Sequence, residues 1–119
     1  MTNTSFDLSR GSITIETEVI AKMAGYIATG CYGVVGMAYR SKKDEFASLL
    51  KKDNLTKGIK VIVSDKKVTL DMHIIVEYGT NISVVCDSII NNVKYQVSTL
   101  TGLDVESVNI YVEGFRVQE

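Results

Sequence analysis

The sequence predicts a two-layer α/β sandwich: a mixed sheet of about five strands, with two long helices on one face and one short helix. Three observations lead there. Two stretches, 17–31 and 82–100, repeat apolar residues at i, i+3 and i+4, the period of an amphipathic helix. The stretch 59–78 alternates apolar and polar around a short polar turn, the period of a β-hairpin. At 119 residues and 45% hydrophobic, the chain is long enough for one buried core and too apolar to be mainly disordered.

Residues 1–11 read as a flexible lead-in to a single domain over 12–119. Ser12–Ile15 is a short strand with Ile13 and Ile15 on one face. Thr17 is the expected N-cap of the first helix, and Glu18 suits its positive end. The helix carries Val19, Ile20, Met23, Ala24, Ile27, Ala28 and Cys31 on one stripe, and Gly30 and Gly33 end it. Val34–Tyr39 is extended. Ser41 and Asp44 open a short helix, 44–52, carrying Phe46, Leu49 and Leu50, with Lys51 and Lys52 at its negative end.

The hairpin follows, its turn at Asp65-Lys66-Lys67. Gly79, Thr80 and Asn81 lead into the second long helix, with Ile82, Val85, Cys86, Ile89, Ile90, Val93, Val97 and Leu100 on its stripe. Gly102 fits the left-handed residue past a helix end. A last strand sets Val108, Ile110 and Val112 against Asn109, Tyr111 and Glu113. The order is β-α-β-α-β-β-α-β, with the long helices covering one sheet face. The other face presents Lys60, Ile62, Thr69, Asp71, His73, Ile75, Glu77 and Tyr111, neither a second core nor fully polar. The short helix 44–52 covers it, or another subunit or a partner does.

Composition excludes several classes of function. Thirteen basic against 14 acidic residues argue against a nucleic-acid-binding or polybasic membrane surface. The polar N-terminus has no basic region followed by an apolar run, so no secretory signal is expected. No run approaches the roughly 20 apolar residues of a membrane span, so direct insertion is not expected. Cys31 and Cys86 lie on apolar helix stripes and read as buried free thiols.

No catalytic, cofactor or metal site is expected. His73 is the single histidine, and two distant cysteines do not complete a zinc set with it. Asp71 and His73 share a strand face, which ordinary alternation explains. The glycines of Gly30-Cys-Tyr-Gly33-Val-Val-Gly36 precede an extended segment, whereas a phosphate-gripping loop needs a helix N-terminus after it. They read as turn and helix-ending glycines. Tyr26 and Tyr95 lie off the apolar stripes, as rim packing or interface anchors.

Four blocks carry a family resemblance: GSITIETEVIA (11–21), GVVGMA (33–38), VEYGTNI (76–82) and TGLDVESVNIYVEG (101–114). In this order they resemble the alkaline-shock-protein, or envelope stress response, family of Gram-positive bacteria, over about residues 11–117, and most of all its short YloU-type members. The resemblance implies a cytoplasmic, non-enzymatic interaction or scaffold protein. It would be a homo-oligomer, or would dock on a membrane-associated or lipid-metabolism partner, a fatty-acid-kinase-like protein among them. A small-ligand (acyl or lipid) sensor or regulator of fatty-acid metabolism is the alternative. The family offers no catalytic motif. Its block glycines, Gly33, Gly36, Gly79, Gly102 and Gly114, read as turns and caps. Ile62, Ile75, Asn109 and Tyr111 on the outward sheet face are the expected interface residues.

Overall fold

The computed structural model describes residues 3–8, 10–37 and 58–117. Along the chain lie β1 (Asn3–Leu8), β2 (Gly11–Glu16), α1 (Thr17–Thr29), β3 (Val34–Met37), β4 (Ile59–Ser64), β5 (Lys67–Glu77), α2 (Ile82–Thr101) and β6 (Asp104–Arg116). The expected short helix 44–52 falls outside the described residues.

The fold is α+β, and β5 is its axis. β6 runs parallel to it along its whole length, from Lys67 opposite Asp104 to Glu77 opposite Arg116. The other edge of β5 is shared end to end. β4 pairs antiparallel with its first half, from Ser64 opposite Lys67 to Ile59 opposite Met72. β3 pairs antiparallel with the second half, from Met37 opposite Ile74 to Val34 opposite Val76. The sheet is mixed, as expected, and among the described residues it has four strands rather than about five.

The expectation for the N-terminus needs correction. Part of the stretch read as lead-in forms β1, which pairs antiparallel with β2 in a separate two-stranded sheet. The strand expected at Ser12–Ile15 therefore joins this hairpin rather than the main sheet. β1 carries few apolar residues, so periodicity alone gave no sign of it; its backbone hydrogen bonds come from its neighbour.

One row of β5 builds the core. Val68, Leu70, Met72 and Ile74 are fully buried and Val76 is 1% exposed. Both helices cover this row. α1 contributes Ile20, Ala24, Ile27 and Ala28, and α2 contributes Val85, Ile89, Val93 and Val97. The ends of the α2 stripe behave differently: Ile82 and Leu100 are exposed, because they lie off the line of Val85, Ile89, Val93, Val97 and Thr101 that faces the core.

The helix ends follow local chemistry. The Asn81 side chain accepts a hydrogen bond from Val84 N at 3.2 Å, and Gly102 takes the left-handed cap at φ 78°. Buried Thr101 is satisfied on both sides: its hydroxyl donates to Val97 O at 2.6 Å and accepts from Leu103 N at 3.2 Å. α1 starts one residue from expectation. Glu16 is the N-cap residue, with no side-chain cap, and Thr17 is already helical. Cys31 and Cys86 are free thiols, as expected, but half-buried rather than buried.

The β4–β5 turn is tighter than expected. Ser64 pairs with Lys67, so the turn is two residues, Asp65 and Lys66, with φ of 49° and 65°. Two consecutive positive φ values match the type I′ turn, whose twist suits a hairpin.

Candidate functional site

The face of the sheet away from the helices carries the expected interface residues. Strand alternation sets Thr69, Asp71, His73, Ile75 and Glu77 of β5 on it, all half-buried. Register then decides their neighbours. Asp71 lies between Lys60 and Asn109, and Thr69 lies beside Ile62. His73 lies beside Tyr111. All four predicted residues, Ile62, Ile75, Asn109 and Tyr111, thus share one surface, with Ile62 and Tyr111 44% and 46% exposed.

The polar groups on this face are tied across the β5–β6 ladder. Asn109 Nδ2 donates to Asp71 Oδ1 at 2.9 Å. His73 Nδ1 donates to Glu113 Oε1 at 2.6 Å. The imidazole stacks on the Tyr111 ring, centroids 4.7 Å apart and planes 15° from parallel. The sequence placed Asp71 and His73 on one face but could not name these partners, because they lie 38 and 40 residues away and only the parallel register brings them across.

Ile75 sits differently. It is flanked by a glycine on each neighbouring strand: Gly36 of β3 and Gly114 of β6. A Cβ at either glycine would meet nothing within 4 Å. The Ile75 side chain therefore has no side-chain neighbour directly beside it on either adjoining strand. This corrects the reading of Gly36 and Gly114 as turn or cap residues. They are mid-strand positions beside β-bulges, at Val34/Gly36 and at Ile74/Ile75 against Val112/Gly114. Gly33, Gly79 and Gly102 do have positive φ, as turns and caps require.

Among the described residues no three His, Cys, Asp or Glu side chains gather in a metal-binding group. No helix among them is long and apolar enough to cross a membrane.

Comparison with known proteins places the chain. Residues 5–117 match the model of the alkaline-shock-protein 23 family, described as having a cell envelope-related function. The chain belongs to that family. This alkaline-shock-family protein is 47% identical over 108 residues to the uncharacterized protein YloU of Bacillus subtilis strain 168, covering 90% of each chain. It is 40% identical to the uncharacterized protein Spy1614 of Streptococcus pyogenes serotype M6, covering 90% of this chain and 89% of the relative. It is 33% identical over 123 residues to a stress response regulator gls24 homolog of Streptococcus pyogenes serotype M3, covering 98% of this chain and 67% of that one. No solved structure gives a significant match.

Proposed function

We propose that this protein is a non-enzymatic interaction module of the cell-envelope stress response, and that its open sheet face holds a protein partner. The observation that carries this reading is that Ile75 stands between two glycines on the open sheet face. A sheet face that served only to meet water would not need an isoleucine flanked by two glycines, next to a stacked His73–Tyr111 pair and with exposed Ile62 farther along the same face. An apolar or aromatic side chain from a partner would cover the glycines, as aromatics do across strands. The ordered pairs Asp71–Asn109 and His73–Glu113 would form a polar rim with little side-chain entropy left to lose.

The family's envelope-related description and the relatives named as stress response regulators support the setting. The partner suggested by the family resemblance is a second copy, a membrane-anchored protein or a fatty-acid-kinase-like protein, with the chain on the cytoplasmic side. The acyl-sensor alternative calls for space between helices and sheet, where Ile20, Leu70, Met72, Ile74, Ile89 and Val93 are all fully buried; no observation favours it.

The test fills the open space on either side of Ile75. Gly36→Val with Gly114→Val adds side chains into open space, and valine suits a strand. The folded protein should keep its circular dichroism and melting temperature yet lose the partner recovered by crosslinked pull-down with the wild-type chain, or lose self-association in sedimentation. Ile62→Asp with Tyr111→Asp should lose the partner too while staying folded, at a somewhat lower melting temperature because the Tyr111 stack on His73 is gone. Unchanged partners and unchanged assembly in both folded variants would overturn the proposal.

A further inference from the structure

A second surface lies on the far side of the molecule, on the outer face of the helices. The C-terminal end of α1 and the middle of α2 border an open, shallow groove of about 380 Å³. Its rims are Tyr26 and Tyr32, 73% and 83% exposed. Its wall is Ser88, Asn92 and Gln96, spaced four residues apart on one face of α2. Cys31 lies in the floor, 3.7 Å from Asn92 Nδ2.

The chemistry of these residues selects a ligand class. Among the described residues, none of the lining side chains is charged, so nothing there compensates a phosphate, a carboxylate or a metal ion. Amides and hydroxyls make up the wall, so an acyl chain would strand polar groups. Each amide offers both donors and an acceptor, the pattern that matches vicinal hydroxyls. The one intra-wall bond, Asn92 Nδ2 to Ser88 Oγ at 3.4 Å, is long and leaves the Asn92 carbonyl oxygen available. Two rings stand at the rims with open faces, and the C–H face of a sugar ring stacks on such a surface. Four helical residues rise about 6 Å, close to the advance of one pyranose along an extended glycan.

We infer that this groove is a binding site for a neutral oligosaccharide, held by Tyr26 and Tyr32 as stacking platforms and by Ser88, Asn92 and Gln96 as hydrogen-bonding groups. It is independent of the sheet face, because the two surfaces lie on opposite sides of the core.

The full chain, titrated with maltohexaose and separately with chitotetraose, tests this, with sorbitol as control. The readouts are the side-chain amide NMR signals of Asn92 and Gln96 and the tyrosine emission, which no tryptophan obscures. At least one oligosaccharide should give a saturable shift at both amides, with no such response to sorbitol. Tyr26→Ala with Tyr32→Ala should weaken binding about tenfold or more, while Tyr95→Ala, outside the groove, should leave it unchanged. Gln96→Leu, which keeps both tyrosines, should weaken it as well. No saturable response to either oligosaccharide, an equal response to sorbitol, or binding that survives the double tyrosine variant would overturn the assignment.

Discussion

The ring of His73 lies flat on the ring of Tyr111, 4.7 Å between centroids, and the same imidazole donates to Glu113 from its Nδ1. One side chain of the central strand thereby fixes two of the edge strand. The pairing orders the open face without burying it, since Tyr111 remains 46% exposed. A stacked pair of this kind adds about 0.5–1.5 kcal/mol beyond area burial.

A double-mutant cycle with His73→Ala and Tyr111→Ala should give a coupling of that sign and about 0.5–1 kcal/mol in urea unfolding, with all three variants folded. A coupling of zero would mean the two rings adjoin without stabilising each other.

Two glycines of one sequence block should respond very unequally to alanine. Gly33 has φ +88°, and a Cβ there would lie 2.7 Å from Val85 Cγ2, inside the core. Gly33→Ala should cost roughly 2–4 kcal/mol, from backbone strain together with overpacking. Gly36→Ala meets nothing within 4 Å and should stay within about 0.5 kcal/mol of wild type. Thermal melts of the two variants decide this; similar losses in both would contradict the geometry.

The type I′ turn at Asp65-Lys66 holds a lysine at φ 65°, where glycine carries no Cβ penalty. Lys66→Gly should raise stability by about 0.5–1 kcal/mol, despite glycine's greater freedom in the unfolded chain. A lower urea midpoint would show that the turn does not strain the lysine.

Burial pushes the Cys86 thiol up from its ordinary 9.0, because desolvation penalises the thiolate. The thiolate is the nucleophile, so Cys86 should react with iodoacetamide more slowly than a small free thiol at pH 8, and the gap should narrow as pH rises through the raised value. Stability follows the same sign. The folded state holds this proton more tightly than the unfolded chain, so the contribution is whole below 9.0 and lost as pH climbs through the higher folded value. Labelling rates read site by site by mass spectrometry between pH 7 and 10 check it; labelling as fast as the free thiol would count against it.

Much of this architecture was legible in residue order. The row Val68, Leu70, Met72, Ile74, Val76 announced a strand buried on one face, and the helical stripes announced what covers it. Asn81 and Gly102 marked the ends of α2 because capping is a matter of neighbouring residues. The outward residues Ile62, Ile75, Asn109 and Tyr111 were identifiable because alternation assigns a face to every residue in a strand.

Residue order sets what is local: the periods, the caps, the turns and the face each side chain takes, all fixed by interactions within a few residues. The tertiary structure decided which strands lie side by side. β5 runs parallel to β6 and shares its other edge between β3 and β4, and β2 turns to β1 instead of the main sheet. Those pairings create the His73–Glu113 bond and place Gly36 and Gly114 on either side of Ile75. Backbone hydrogen bonds between strands are the same whatever the side chains, so a strand's own pattern says which way it faces but not what it faces; only the packing of the whole chain selects the neighbour and the register.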